Sequence, residues 1–254
     1  MISEPSSLVA IPEGFVGLWR RRLLETEILH DTDSEVWRLQ TGQLYADLHL
    51  SSSDSGRIGL RRGVAGELQM QGDMLTWQSW FANLAPTDIG DCGHVWLEGQ
   101  KLITQSARTS GLEIWERVTP PTDDRLALVL QDECSAYGDW RSRRGLFAVF
   151  GEHFVLALDR SLCLAGGGRA AKPQQRTFAV FRLDPEISFG VRHGRVSWEI
   201  QRSTLPYREG QSLLAAHGLP EPVSPSEWRQ QVQIPSAFRR WRVAEIGPGF
   251  TLQL

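Results

Sequence analysis

From Glu35 to Leu50 the chain reads EVWRLQTGQLYADLHL, and Leu44, Ala46, Leu48 and Leu50 alternate strictly with Tyr45, Asp47 and His49. A period of two marks a strand that buries one face. Val36, Trp37 and Leu39 precede Thr41-Gly42-Gln43, so the stretch predicts a β-hairpin turning at that tripeptide. The aliphatic parity is the expected inside and the polar parity the expected solvent face, with a functional interior as the alternative.

The same plan recurs along the chain. ELQMQGDMLTWQSWF (67–81) turns at Gly72-Asp73, VWLEGQKLITQS (95–106) turns at Gly99-Gln100, and LEIWERV (112–118) is a further strand. FVGLWRRRLL (15–24) reads as a strand after a polar lead-in over 1–13, and the Ser, Gly and Arg rich stretch 51–66 reads as a long loop. Thr119-Pro120-Pro121-Thr122-Asp123-Asp124 has the composition of a linker, because proline donates no ladder hydrogen bond. Strands resume at Leu126–Leu130, at LFAVFGEHFVLALD (146–159, turning at Gly151-Glu152), at 177–183 and at 187–200, which turns at His193-Gly194. Two short helices are expected near the C-terminus. One lies within Gly210–His217; the other runs from the capping signal Ser224-Pro225-Ser226-Glu227 through about Val232. RWRVAEI (240–246) closes the pattern as a strand. Many short antiparallel strands with few helices predict an all-β chain of two tandem lipocalin-like β-barrels, over 14–118 and 125–254. The similar plan of 36–50 and 147–160 points to a weak internal duplication.

LTWQSW (75–80), Glu113 and Trp115 in LEIWERV, LFAVFGEHF (146–154), TFAVFRL (177–183) and WRVAEI (241–246) occur in this order across both halves. On these residues the whole chain resembles the poorly characterised Hri-one family, named from yeast, whose members are tandem lipocalin-like barrels. The resemblance implies a fold and carries no reaction with it.

A formal net charge of -3 and a pI near 6.1 disfavour nucleic acid and acidic membrane surfaces as partners. Cys92, Cys134 and Cys163 are odd in number and far apart, which fits a reducing cytoplasm better than a disulfide framework. MISEPSSLVAIPEG has no basic region followed by a long apolar run, and no segment approaches the ~20 apolar residues of a membrane span. The Cys-x5-Arg spacing of CLAGGGR (163–169) reads as a connecting loop, since Lys172-Pro173 leaves little room for the helix that phosphate chemistry would need. The six histidines show no close ligand spacing, and no nucleotide or hydrolase fingerprint occurs, so neither metal nor cofactor is expected.

Ten tryptophans against three tyrosines direct attention to an aromatic cavity. Trp37, Trp77, Trp80, Trp96 and Trp115 are the expected lining, with Tyr45 and Arg117 as polar ligand contacts and Glu113 and Asp47 as candidate catalytic acids or bases. Glu113 and Arg117 share a strand parity with Trp115 and are read either as acid and base groups for proton transfer inside a barrel or as a surface ion pair. The leading expectation is binding of an apolar or aromatic small molecule. A cofactor-independent isomerase, hydratase or cyclase is the second, and an interaction module with filled barrels is the third.

Overall fold

The computed structural model describes residues 10–52, 58–83, 91–135, 138, 140–159, 185–194, 196–232 and 237–250; the sequence segments 163–169 and 177–183 lie outside them. The first half contains β1 (Gly17–Glu25), β2 (His30–Asp31), β3 (Glu35–Gln40), β4 (Leu44–Ser52), β5 (Ile58–Gln71), β6 (Met74–Ala82), β7 (Asp91–Glu98), β8 (Lys101–Ser106) and β9 (Leu112–Arg117). Strand β2 pairs only with the end of β1, and the rest pair antiparallel in order. Strand β9 then returns to β1, with Trp19 opposite Arg117 and Glu25 opposite Leu112, so eight strands close into a barrel. The hairpins expected at Gly42, Gly72 and Gly99 are all present.

The second half holds β10 (Arg125–Ser135), β11 (Trp140–Arg141), β12 (Gly145–Phe150), β13 (His153–Leu158), β14 (Glu186–His193), β15 (Ser197–Ser203), β16 (Glu221–Pro222), β17 (Glu227–Val232) and β18 (Ala237–Ile246). They form one sheet in the order β15-β14-β13-β12-β10-β18-β17-β16, with β11 beside β10. Among the described residues the end strands of this order do not pair, and the helix Leu213–His217 packs against both β15 and β17. Both faces of this sheet are buried. Phe147, Phe154, Leu156, Trp198, Ile200, Leu213, Trp228 and Trp241 fill one side, while Ala127, Leu146, Ala148, Phe150, Val155, Ala157, Ile187 and Phe189 join the core of the barrel. That double burial is why LFAVF and FVLAL are unbroken apolar runs rather than alternating ones.

Contact between the halves reverses the expected direction of the central hairpin. Tyr45, Asp47 and His49 point into the barrel, so Leu44, Ala46, Leu48 and Leu50 point outward, yet each is at most 3% exposed. The second sheet covers them, with β14 lying across β4 and β5. Burial of each such leucine contributes about 1.5–3 kcal/mol, which decides the orientation of the whole wall. At Gly63 an added Cβ would meet Thr204 Cγ2 at 2.6 Å and Ile187 Cδ1 at 2.8 Å, so the backbone of β5 approaches β14 as only glycine permits. Polar contacts ring this interface: Arg61 with Glu209 and the Ser203 carbonyl, Arg202 with Glu35, and the Gly42 N–H donating to Glu245.

Two sequence expectations fail here. The stretch 51–66 is mostly strand: β4 runs to Ser52 and β5 begins at Ile58. Its alternation is masked because Gly63 and Ala65 face the second sheet with almost no side chain, while Arg62 and Val64 face the barrel interior. Residues 227–232 are likewise a strand and not a helix. The Ser224 hydroxyl does accept from the Glu227 N–H at 3.0 Å, but Trp228, Gln230 and Val232 then alternate inward against β18. Pairing with a neighbouring strand outweighs the local cap signal. The expected helix within 210–217 is present as Leu213–His217.

One end of the second sheet buries a charged chain. Glu186 accepts from Arg208 at 2.9 Å and from His217 Nε2 at 3.2 Å; Arg239 lies 3.2 Å from His217 Nδ1 and 2.6 Å from Glu133, which also receives Arg143. An arginine only donates, so His217 Nδ1 must accept and the ring proton sits on Nε2. The neutral imidazole is thereby fixed. Burial lowers the pKa of His217, Arg239 and Arg208 lower it further, and Glu186 opposes them; burial also lowers the pKa of His49 and His153.

Two outcomes follow. Gly63→Val should destabilise the protein by about 1–3 kcal/mol in urea unfolding, the scale of overpacking, through separation of β5 from β14. Each histidine with a depressed folded pKa favours the unfolded chain once that chain binds the proton. Stability is therefore full above about pH 6.5 and falls as the pH drops through that value toward the folded pKa values. The urea midpoint should decline between about pH 7 and pH 5.5, and His217→Gln should flatten part of that slope. An unchanged midpoint across this range would show that these rings are not held neutral.

Candidate functional site

The barrel is sealed at the end where β1 begins. A single turn of 3-10 helix, Glu13–Phe15, brings the Phe15 carbonyl to accept from Trp19 Nε1 at 3.0 Å and from Gln40 Nε2 at 2.6 Å. Arg117 stacks its guanidinium 4.2 Å from the centre of the Trp19 ring and donates to the carbonyls of Val16 and Gly14. Gly17 has φ +149°, and a Cβ there would stand 2.4 Å from Arg117 Nη1, so the plug requires glycine. Arg117 is therefore part of the closed end. It is not the ion-pair partner of Glu113 that their shared parity suggested.

Toward the opposite end the interior opens into a cavity of about 290 Å³. Arg38 stands in its wall between two indoles, 4.2 Å from the centre of Trp115 and 4.9 Å from that of Trp77. Its Nε and Nη2 form a fork on Asp47, at 2.8 and 2.7 Å. Burial would weaken the Arg38 charge, but Asp47 outweighs it and holds the guanidinium more firmly protonated than usual. Arg21 bridges Asp31 at 2.8 Å and Glu113 at 3.0 Å; Glu113 also accepts from the Thr104 hydroxyl at 3.0 Å. Tyr45, next to Asp47 along the strand, has its phenol pKa raised by burial and by that carboxylate. At the mouth, burial raises the Asp91 carboxyl, Glu113 adds to this, and the Cys92 N–H opposes it. Burial, Arg21 and Arg62 together push the His49 imidazole down, so it is neutral at neutral pH.

Three buried nitrogens of residues in this wall have no hydrogen-bond partner among the described residues: Arg38 Nη1, Trp77 Nε1 and His49 Nε2. Arg38 is 8% exposed and Trp77 7%. Buried donors without acceptors are uncommon, because each costs about 1–3 kcal/mol of lost hydration.

Of the residues expected to form a site, Tyr45, Asp47, Trp77, Glu113 and Trp115 meet in this cavity. Trp37 lies on the outer wall, where it meets Leu18, His153 and Phe189 at the joint between the halves; Arg20 stands 5.6 Å from its ring centre and its Nε1 donates to Glu35. Trp80 and Trp96 are half-buried, Trp96 bonded to Glu98 on the parity opposite inward-facing Gly93. Sequence reading missed Arg21, Arg38, Arg62, Thr104 and Asp91. The signal for Arg38 existed: a hairpin centred on Gly42 sets Arg38 opposite Asp47, the register observed.

No family model and no curated protein matches the chain. Among solved structures, that of an uncharacterized protein of Saccharomyces cerevisiae, YLR301w, superposes with a TM-score of 0.52 at 12% identity, over 90% of this chain and 97% of that one. At this identity the likeness is one of fold. It extends over both halves, so the barrel and the sheet against it are shared together.

Breaking a buried pair leaves a charge without compensation, whereas replacing both partners with apolar groups does not. Arg38→Met and Asp47→Leu should each cost about 3–5 kcal/mol in chemical unfolding, and the double variant should recover most of that loss. Additive losses would show that the two side chains do not act as one unit.

Proposed function

We propose that the first barrel binds a small molecule in its interior. The cavity carries this reading: it has one sealed end, one open end, a volume of about 290 Å³ and two indoles in its wall. Small-molecule sites begin at roughly 300 Å³, so the occupant is compact. Trp77 and Trp115 keep the aromatic component expected from sequence, but the arginines and carboxylates around them favour a ligand with polar groups over a purely apolar one. A tandem lipocalin-like arrangement belongs to the same proposal, with the first unit as the binder and the second filled by its own side chains.

Acid–base catalysis without a cofactor is the second reading. It is favoured by a neutral His49 and by the raised pKa of Asp91 in one cavity, since a base and an acid set apart in this way suit proton transfer. Asp47 and Glu113 fit this role less well, because each is held by an arginine and serves to orient that cation. Without turnover of a bound compound, binding is the reading kept.

Titration with small aromatic and polar compounds should quench or shift tryptophan emission saturably and raise Tm; a ligand at ~100 times its Kd adds about 2.7 kcal/mol. Trp77→Phe or Trp115→Phe should remove most of the optical response, while Trp80→Phe and Trp96→Phe should leave it. A response lost equally in all four variants, or no response to a broad panel, would count against an interior site.

A further inference from the structure

The unpartnered atoms of the cavity wall are not a mixed set. All three are nitrogens, and two of them, Arg38 Nη1 and Trp77 Nε1, can only donate. Two of the wall's carboxylates are already engaged: Asp47 is forked on Arg38, and Glu113 receives both Arg21 and Thr104. The Arg38 guanidinium stands over two indole rings, and Asp47 takes its Nε and Nη2. Nη1 is buried and has no partner among the described residues.

Four arginines and three carboxylates line the cavity, and Asp31, paired with Arg21, brings the formal charges into balance. Such a wall suits a single negative charge better than a double one. A compact group that accepts on two sites and carries one charge at neutral pH is a carboxylate.

We propose that the barrel's ligand is a small organic monocarboxylate whose oxygens accept hydrogen bonds from Arg38 Nη1 and Trp77 Nε1. The assignment rests on the reading of the barrel as a small-molecule binder and narrows it to one chemical class. Asp47 holds the guanidinium in place without consuming the edge that meets the acid. His49 is the third contact. Burial, Arg21 and Arg62 depress its pKa while Asp31 and Glu113 oppose them, so the ring stands neutral beside the acid.

Calorimetric titration at constant ionic strength with benzoate, its neutral isostere benzamide, and inorganic phosphate tests the assignment. Benzoate should bind at least about tenfold more tightly than benzamide or phosphate, the scale of one hydrogen bond to a charged group. Arg38→Lys keeps a charge beside Asp47 but removes the Nη1 edge, and Trp77→Phe removes one donor while keeping a ring. Each should weaken benzoate by about tenfold or more. Because Arg38→Lys disturbs a buried pair, Trp77→Phe is the control against a simple loss of folding. Benzamide binding as tightly as benzoate would overturn the anion while leaving the barrel a binder. Phosphate binding without benzoate would overturn the carboxylate. Benzoate held equally by wild type and both variants would overturn the contacts. If none of the three binds, the class is wrong, and the wider emission panel decides separately whether the barrel binds anything.

Discussion

Everything in the first half turns on what lies against the outside of β1, β3, β4 and β5. A lone barrel in water places its aliphatic parity inside and its polar parity outside. Here a second sheet supplies an apolar surface to the outer wall, so Leu44, Ala46, Leu48 and Leu50 are buried without using the interior. The pleat leaves no choice about the remaining parity: Tyr45, Asp47 and His49 must point inward. A charged cavity is thus the geometric consequence of docking two sheets. The outer residues of β6 and β7, Gln78 and His94, have no such cover and are exposed, as the ordinary rule requires.

Charges placed inside a barrel must be held by one another, and they are. The closed half is packed with Trp19, Leu68, Leu75 and Leu102, all fully buried, and the charges begin only above that floor. There Arg38 with Asp47, and Arg21 with Asp31 and Glu113, form networks whose desolvation cost cancels most of their attraction. Such pairs add little to stability compared with a well-packed apolar filling. Their presence in a barrel that leucines could fill is what the proposed occupant would account for.

What could be read from the chain and what could not divide along a physical line. Strands and turns are local properties, so the hairpins at Gly42, Gly72, Gly99 and Gly151 were legible from alternation and turn residues. The sign of a strand, meaning which parity faces in, depends on a partner surface far away in sequence; the direction of β4 followed from Ile187 and Phe189 rather than from Leu44–Leu50. Strand β5 was hidden for the same reason, since Gly63 looks like a loop residue until Thr204 and Ile187 stand against it. Five of the nine expected site residues gather in the cavity, because tryptophans and acids on one parity stay together whichever way that parity turns. Trp37, Trp80, Trp96 and Arg117 do not, because aromatic character alone cannot separate a cavity wall from a joint, an outer face or a plug.

The two halves meet the same problem of buried charge with different networks. In the second half Glu186 is matched by Arg208, His217 and Ser188, while Arg239 is matched by Glu133, Gln230 and His217. Burial alone would raise the Glu186 carboxyl, yet its hydrogen bond from His217 and the charge of Arg208 hold it below the usual carboxylate range. That network is satisfied except at Arg208 Nη2, which has no partner among the described residues. In the first barrel Arg38 Nη1, Trp77 Nε1 and His49 Nε2, all buried and on residues that line the cavity, have no partner among the described residues. A structural network gains nothing from ending this way, since each unmet donor weakens the fold. Three unpartnered nitrogens gathered in one cavity wall are what the proposed ligand would satisfy.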